Sequence, residues 1–158
     1  MDLLPFFQWC YDTPIGEAIR NSNWMFALIE AFHLVGLALM GGAILIVDLR
    51  LLGLGLKKQP VAQLASGAAP WLLGSVIVMF LSGVPLFLSE AIKCLYNFPF
   101  WVKMISLLLV LIFTYTVRYR VTQRAPGSVG PLPDRATALI SIGLWFGVLW
   151  GGRWIGYS

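Results

Sequence analysis

Apolar residues fall into four long runs along the chain. Trp24 to Val47 is interrupted only by Glu30, a glutamate, and His33, a histidine. Trp71 to Ser89 carries no charge, Phe100 to Val117 carries only Lys103 near its start, and Ala138 to Tyr157 carries only Arg153 near its end. Each run approaches the roughly 20 residues that a helix needs to cross the hydrocarbon layer. The third is the shortest, and its lysine can lay its stem along apolar surface while the ammonium reaches the interface. The pattern predicts an all-α integral membrane protein, a four-transmembrane-helix bundle forming a single membrane domain over 1–158, with spans at about 24–47, 71–89, 100–117 and 138–157.

Local signals suggest where the helices begin. Asn23 is positioned to cap the first span, Pro70 suits the first turn of the second, and Leu132-Pro133 breaks the chain before Asp134, a cap for the fourth. Gly127 to Pro133 reads as a flexible loop. Ser82-Gly83-Val84-Pro85 predicts a kink in the second span. Residues 1–23 combine Leu3, Leu4, Phe6, Phe7, Trp9 and Ile15 with Asp12, Pro14 and Glu17. That mixture predicts an interfacial helix, starting near Thr13-Pro14, that lies on the bundle rather than crossing.

Composition sharpens the class. Only 11% of the residues are charged and the mean hydropathy is +0.82, whereas a soluble domain carries about 25% charged residues. The net charge of +4 reads as a topological signal rather than as an anionic partner. The first-to-second and third-to-fourth connections hold Arg50, Lys57, Lys58, Arg118, Arg120, Arg124 and Arg135, seven bases; the other side holds Arg20, Lys93, Lys103 and Arg153, four. This imbalance predicts cytoplasmic loops and extracytoplasmic N and C termini. No basic run interleaved with aromatics supports nucleic-acid binding, so the expected partner is the lipid bilayer. Asp2 is the first charge and Arg20 the first base, which is not the pattern of a cleaved signal. Cys10 and Cys94 both fall on the outer side in this topology, where they form either a disulfide or two free, packed thiols.

Ionisable residues inside spans are costly and mark functional hypotheses. Glu30 lies six residues past Trp24, about 9 Å deeper, with His33 about one turn further in. Lys103, Arg153 and Glu90 sit at the outer ends of the third, fourth and second spans. The expectation is one polar cluster in the outer half, in which Glu30 and Glu90 meet Lys103 and Arg153. It is either a set of structural ion pairs or a lined site for a ligand, proton or cofactor. A di-metal site needs two Glu-x-x-His pairs and a zinc site needs more ligands, and the chain has one histidine. A five-coordinate haem needs one histidine, or one from each of two chains, with Lys103 and Arg153 as cations for propionates. On the inner side Asp48-Leu49-Arg50 reads as interfacial anchoring and pairing with bases of the other loop. Gly143, Gly147 and Gly151 form a stripe at i, i+4 and i+8, with a shorter one at Ala38 and Gly42, for close packing within the bundle or between subunits. Trp145, Trp150 and Trp154 are expected at lipid or the interface.

Ile29-Glu-Ala-Phe-His-Leu-Val-Gly36, Asp48-Leu-Arg-Leu-Leu-Gly53 and Gly151-Gly-Arg-Trp-Ile-Gly-Tyr157 resemble a family of uncharacterised bacterial four-helix inner-membrane proteins over nearly the whole chain. That resemblance implies a multi-pass protein of the bacterial inner membrane. The surroundings of His33 and the segment Phe100-Trp-Val-Lys103 also distantly resemble the HemJ-type protoporphyrinogen oxidases and CopD-like membrane domains. That similarity implies haem b on His33 and a working role for Lys103. Glu30 stands where that family commonly carries a base, and further histidines are missing, so it implies the haem rather than the oxidase reaction. Three functions follow as expectations: a haem-b redox or electron-transfer protein using His33; a homo-oligomeric ion or proton channel or transporter subunit lined by Glu30, His33, Lys103 and Arg153; or a structural accessory subunit of a membrane complex.

Overall fold

The structure, a computed structural model, describes residues 3–56, 58–123 and 131–157. Two short helices come first, α1 (Leu4–Tyr11) and α2 (Pro14–Arg20). Thr13 separates them: its backbone is extended, its hydroxyl accepts from the Gly16 N–H, and Pro14 occupies the first turn, where a missing N–H costs nothing. The N-terminal segment is thus two helices where one is expected, with the Thr13-Pro14 start as read.

The long elements are α3 (Met25–Leu52), α4 (Val61–Ser89), α6 (Phe98–Phe113) continuing through a π turn (Thr114–Arg118) into α7 (Tyr119–Thr122), and α8 (Pro131–Trp154). A short α5 (Ala91–Tyr96) links α4 to α6. Among the described residues, four helices are long and apolar enough to cross a membrane: Met25–Leu52, Val61–Ser89, Phe98–Thr122 and Leu132–Tyr157. No strand occurs among the described residues. α3 packs along α4 and α6 along α8, and an α3–α8 contact joins the two pairs. α1, α2, α5 and the end of α8 gather at one end of the bundle, here the terminal end; the α3–α4 connection and α7 mark the loop end.

Several boundaries differ from the sequence reading. α3 takes Trp24 as its cap residue, and the Ser22 hydroxyl, not Asn23, receives the Met25 N–H. α4 begins after an extended Pro60, so Pro70 lies inside the helix, where it removes one backbone bond without ending it. Pro85 is also inside α4. α8 starts at Pro131, which places Asp134 in its first turn rather than at the cap; of the expected 127–133 loop, residues 127–130 lie outside the described residues.

The middle of the bundle is closed by Met40, Ile44, Val110, Trp145 and Val148. Trp145 is therefore core, 6% exposed, not a lipid-facing residue, whereas Trp150 and Trp154 do face outward. Outward surfaces carry large apolar side chains such as Leu34, Val35, Ile105, Leu108 and Phe146, as a bilayer requires. The glycine stripe is split. A Cβ at Gly151 would lie 2.7 Å from the Pro99 carbonyl oxygen and 2.9 Å from the Lys103 nitrogen, and one at Gly147 2.5 Å from Ser106 Oγ, so these two bring α8 against α6. Gly143 and Gly42 face open space.

Candidate functional site

Two buried polar centres lie on either side of that apolar layer. The first is toward the terminal end. α3 presents His33, 9% exposed, to α4 and α6. Its Nδ1 lies 2.9 Å from Ser82 Oγ and its Nε2 lies 3.3 Å from Lys103 Nζ. The Ser82 hydroxyl donates to the Val78 carbonyl at 2.6 Å, so its oxygen is left to accept from Nδ1–H. That fixes the ring as the Nδ1–H tautomer with a lone pair on Nε2, which can accept from an ammonium that has only donors. Lys103, Nε2, Nδ1 and Ser82 thus form one chain of donors and acceptors without a conflict. Gly83 allows it: a Cβ there would sit 3.1 Å from His33 Cε1. Gly151 and Gly152 seat the Lys103 stem on α8.

The second centre lies about 22 Å along α3 from the first, fifteen residues on at 1.5 Å each. Asp48 is fully buried and its Oδ1 accepts from Arg118 Nε at 3.0 Å. Arg118 Nη2 also donates to the Ile44 carbonyl at 3.2 Å. Ser141 lies beside Asp48, yet Asp48 Oδ2, Ser141 Oγ, Thr114 Oγ1 and Trp145 Nε1 are buried without a well-formed hydrogen bond among the described residues. Asp48 does pair with a base of the other connection, as expected. It is no interfacial anchor, because both partners sit about one turn inside their helices. Arg50, by contrast, stays near the loop and bonds the Gln59 carbonyl at 2.9 Å.

The expected outer cluster is only partly assembled. His33 and Lys103 meet. Glu30 is exposed on the outside of α3, and Arg153 is exposed, with its guanidinium on Tyr157. Glu90 is half-buried at the end of α4. Among the described residues no ion pair joins Glu30 or Glu90 to Lys103 or Arg153; the ion pair present is Asp48–Arg118. The reason is helical phase. The buried stripe of α3 runs through His33, Gly36, Met40, Ala43, Ile44 and Val47, and its backward extension at i−4 is Ile29, which leaves Glu30 off the stripe.

Cys10 and Cys94 are buried in one cluster with Phe7 and Ala91, so the N-terminal helices and α5 do bring them together, as free thiols. Burial raises the pKa of Cys10. Burial first, and then the Glu90 carboxylate, push Cys94 up to about 11, against the opposing pull of Lys103 and Lys93.

Ser82 and Arg118 were not legible as site residues. Ser82 reads as part of a kink and Arg118 as a loop base. A usable signal exists for the serine: Ser75, Ser82 and Ser89, spaced by seven, are all buried on α4, a polar seam facing the bundle.

Haem b needs a histidine nitrogen with no other partner, and both ring nitrogens of His33 are engaged. The residues as arranged do not fit the group. No group of three or more His, Cys, Asp or Glu suited to a metal ion occurs among the described residues.

The chain belongs to DUF6644, a family of unknown function whose model matches residues 6–158. No curated protein and no solved structure matches it.

Proposed function

We propose that this membrane protein moves protons, with Lys103, His33 and Ser82 as the groups that hold and pass a proton in the terminal half of the bundle. The observation that carries this reading is the half-buried contact of two bases, Lys103 Nζ to His33 Nε2 at 3.3 Å. A proton leaving the ammonium has an acceptor at hydrogen-bond distance, and an imidazole that gains a proton at one nitrogen can release it from the other. Ionisable groups paired inside a span mark proton relays. The charge bias of the loops supports a bacterial inner-membrane orientation with both termini outside. Glu30 and Arg153 face away from the bundle, where a second subunit of a homo-oligomer is the partner that would give them a role in transport.

The test is proton flux. Purified protein in liposomes, driven by a potassium diffusion potential and read by an internal pH dye, acidifies the lumen; His33→Ala and Lys103→Met each reduce the rate at least tenfold. Wild-type liposomes no faster than protein-free ones overturn the proposal. The resemblance to haem proteins is favoured by one observation, that the two positions it singles out, His33 and Lys103, meet. Haem ligation would require the ring to release Lys103 or Ser82. A Soret band lost in His33→Ala selects that reading instead.

A further inference from the structure

We infer that the loop end of the bundle holds a binding site for the phosphate headgroup of an anionic lipid, centred on Arg118. It rests on the second buried centre and is independent of the proton reading. The first turns of α4 are built from small residues, so this helix is thin where it faces the π turn. The result is a cavity of about 140 Å³, with Ala65 and Ala69 on one wall, Ala43 behind, and Thr114, Arg118 and Gln123 opposite. Exposed Ser66, Tyr115 and Tyr119 border it, so it opens sideways, toward lipid, between two spans.

The cation inside is held in place and keeps a spare donor. Arg118 is 6% exposed and held rigidly by Asp48 and the Ile44 carbonyl. Those bonds use Nε and Nη2, and Nη1 makes none among the described residues. Thr114, 7% exposed, lines the cavity, but its unpartnered Oγ1 is sealed from it. A guanidinium N–H with nothing to bond, beside the amide of Gln123, suits an oxygen-rich acceptor, and charge-assisted bonds to phosphate are the strong kind. The surrounding charge has the matching sign. Asp48 neutralises Arg118 itself, but exposed Lys58 and Arg120 and nearby Arg50 add positive charge at this end. Depth favours a lipid over a solute: Arg118 lies four residues from the end of α7, about 6 Å at helical rise, near the headgroup boundary. The wall continues inward through Ala69 and Leu72, where an acyl chain would lie. Basic pockets between spans bind anionic headgroups in this way.

A free phosphate ion offers the same chemistry, so the experiment separates the two. The full chain in mild detergent is titrated with phosphatidylglycerol, phosphatidylcholine or inorganic phosphate, with bound lipid counted by native mass spectrometry and stability followed by Tm. One phosphatidylglycerol binds saturably and raises Tm, while phosphatidylcholine binds at least tenfold more weakly and inorganic phosphate has no effect. Gln123→Leu and Ala69→Leu, which leave the Asp48–Arg118 pair intact, each weaken phosphatidylglycerol binding at least tenfold. Equal binding of the two lipids, or undiminished binding in both variants, overturns the inference. A Tm response to inorganic phosphate equal to that of the lipid overturns the lipid assignment.

Discussion

Replacing Arg118 with Met tests the energetics of the bundle interior. The Asp48 carboxylate is fully buried, its Oδ1 is 3.0 Å from Arg118 Nε, and its Oδ2 has no hydrogen bond among the described residues. At about 4 Å between charge centres and an effective dielectric near 20, the attraction is about 4 kcal/mol. Arg118→Met removes it and leaves the carboxylate buried without a cation, a change that costs about 3–5 kcal/mol. At roughly 2–4 °C per kcal/mol for a chain of this size, Tm falls by roughly 10 °C. The double variant Asp48→Leu with Arg118→Met removes the stranded charge and fills its place with apolar atoms, so stability returns to the wild-type level or above it. The assay is thermal unfolding in mild detergent followed by tryptophan fluorescence, to which Trp145 in the adjacent core contributes. Arg118→Met melting within 2 °C of wild type, with the double variant no better than the single, would refute the reasoning.

Other substitutions probe packing and the thiols. Gly151→Ala forces a Cβ to within 3 Å of the α6 backbone and destabilises by about 1–3 kcal/mol through overpacking, whereas Gly42→Ala, into open space, is neutral or stabilises by up to about 1 kcal/mol; equal Tm values for the two contradict the α6–α8 contact. Cys94, with its pKa near 11 against an ordinary 9.0, carries roughly a hundredfold less thiolate at pH 8, so a Cys10→Ser protein is alkylated slowly at pH 8 and faster as pH nears 11, and Glu90→Gln speeds it. The same raised pKa stabilises the folded chain fully below pH 9, and this contribution is lost as pH rises from 9 to about 11; Tm measured across that range shows the fall in wild type and a smaller one in Cys94→Ala.

The four spans were legible because a bilayer demands long apolar runs whatever the packing inside. Their ends were not. Pro60 and Pro70 carry the same local signal, and the tertiary structure extends α4 through the second. Within the site, His33 and Lys103 stood out as ionisable groups in apolar surroundings, and the structure joins them. Glu30 also stood out, but spacing of three from His33 does not by itself place a side chain in the core; the bundle uses the stripe through Ile29. Trp145 was misread because tryptophan favours interfaces, while the α8 stripe of Ala138, Ser141, Trp145 and Val148 makes it core. Ser82 and Arg118 gain their roles from α3 across the bundle, a relation that no local window of sequence contains.

The contact between Lys103 and His33 can be observed directly, because the chain has one histidine. Protein labelled with 15N-histidine and reconstituted in lipid gives two ring-nitrogen resonances, both from His33. The account predicts a protonated Nδ1 and an unprotonated, hydrogen-bonded Nε2 whose resonance shifts when Lys103 becomes Met. A protonated Nε2 with a bare Nδ1, or an Nε2 resonance indifferent to Lys103→Met, would contradict it.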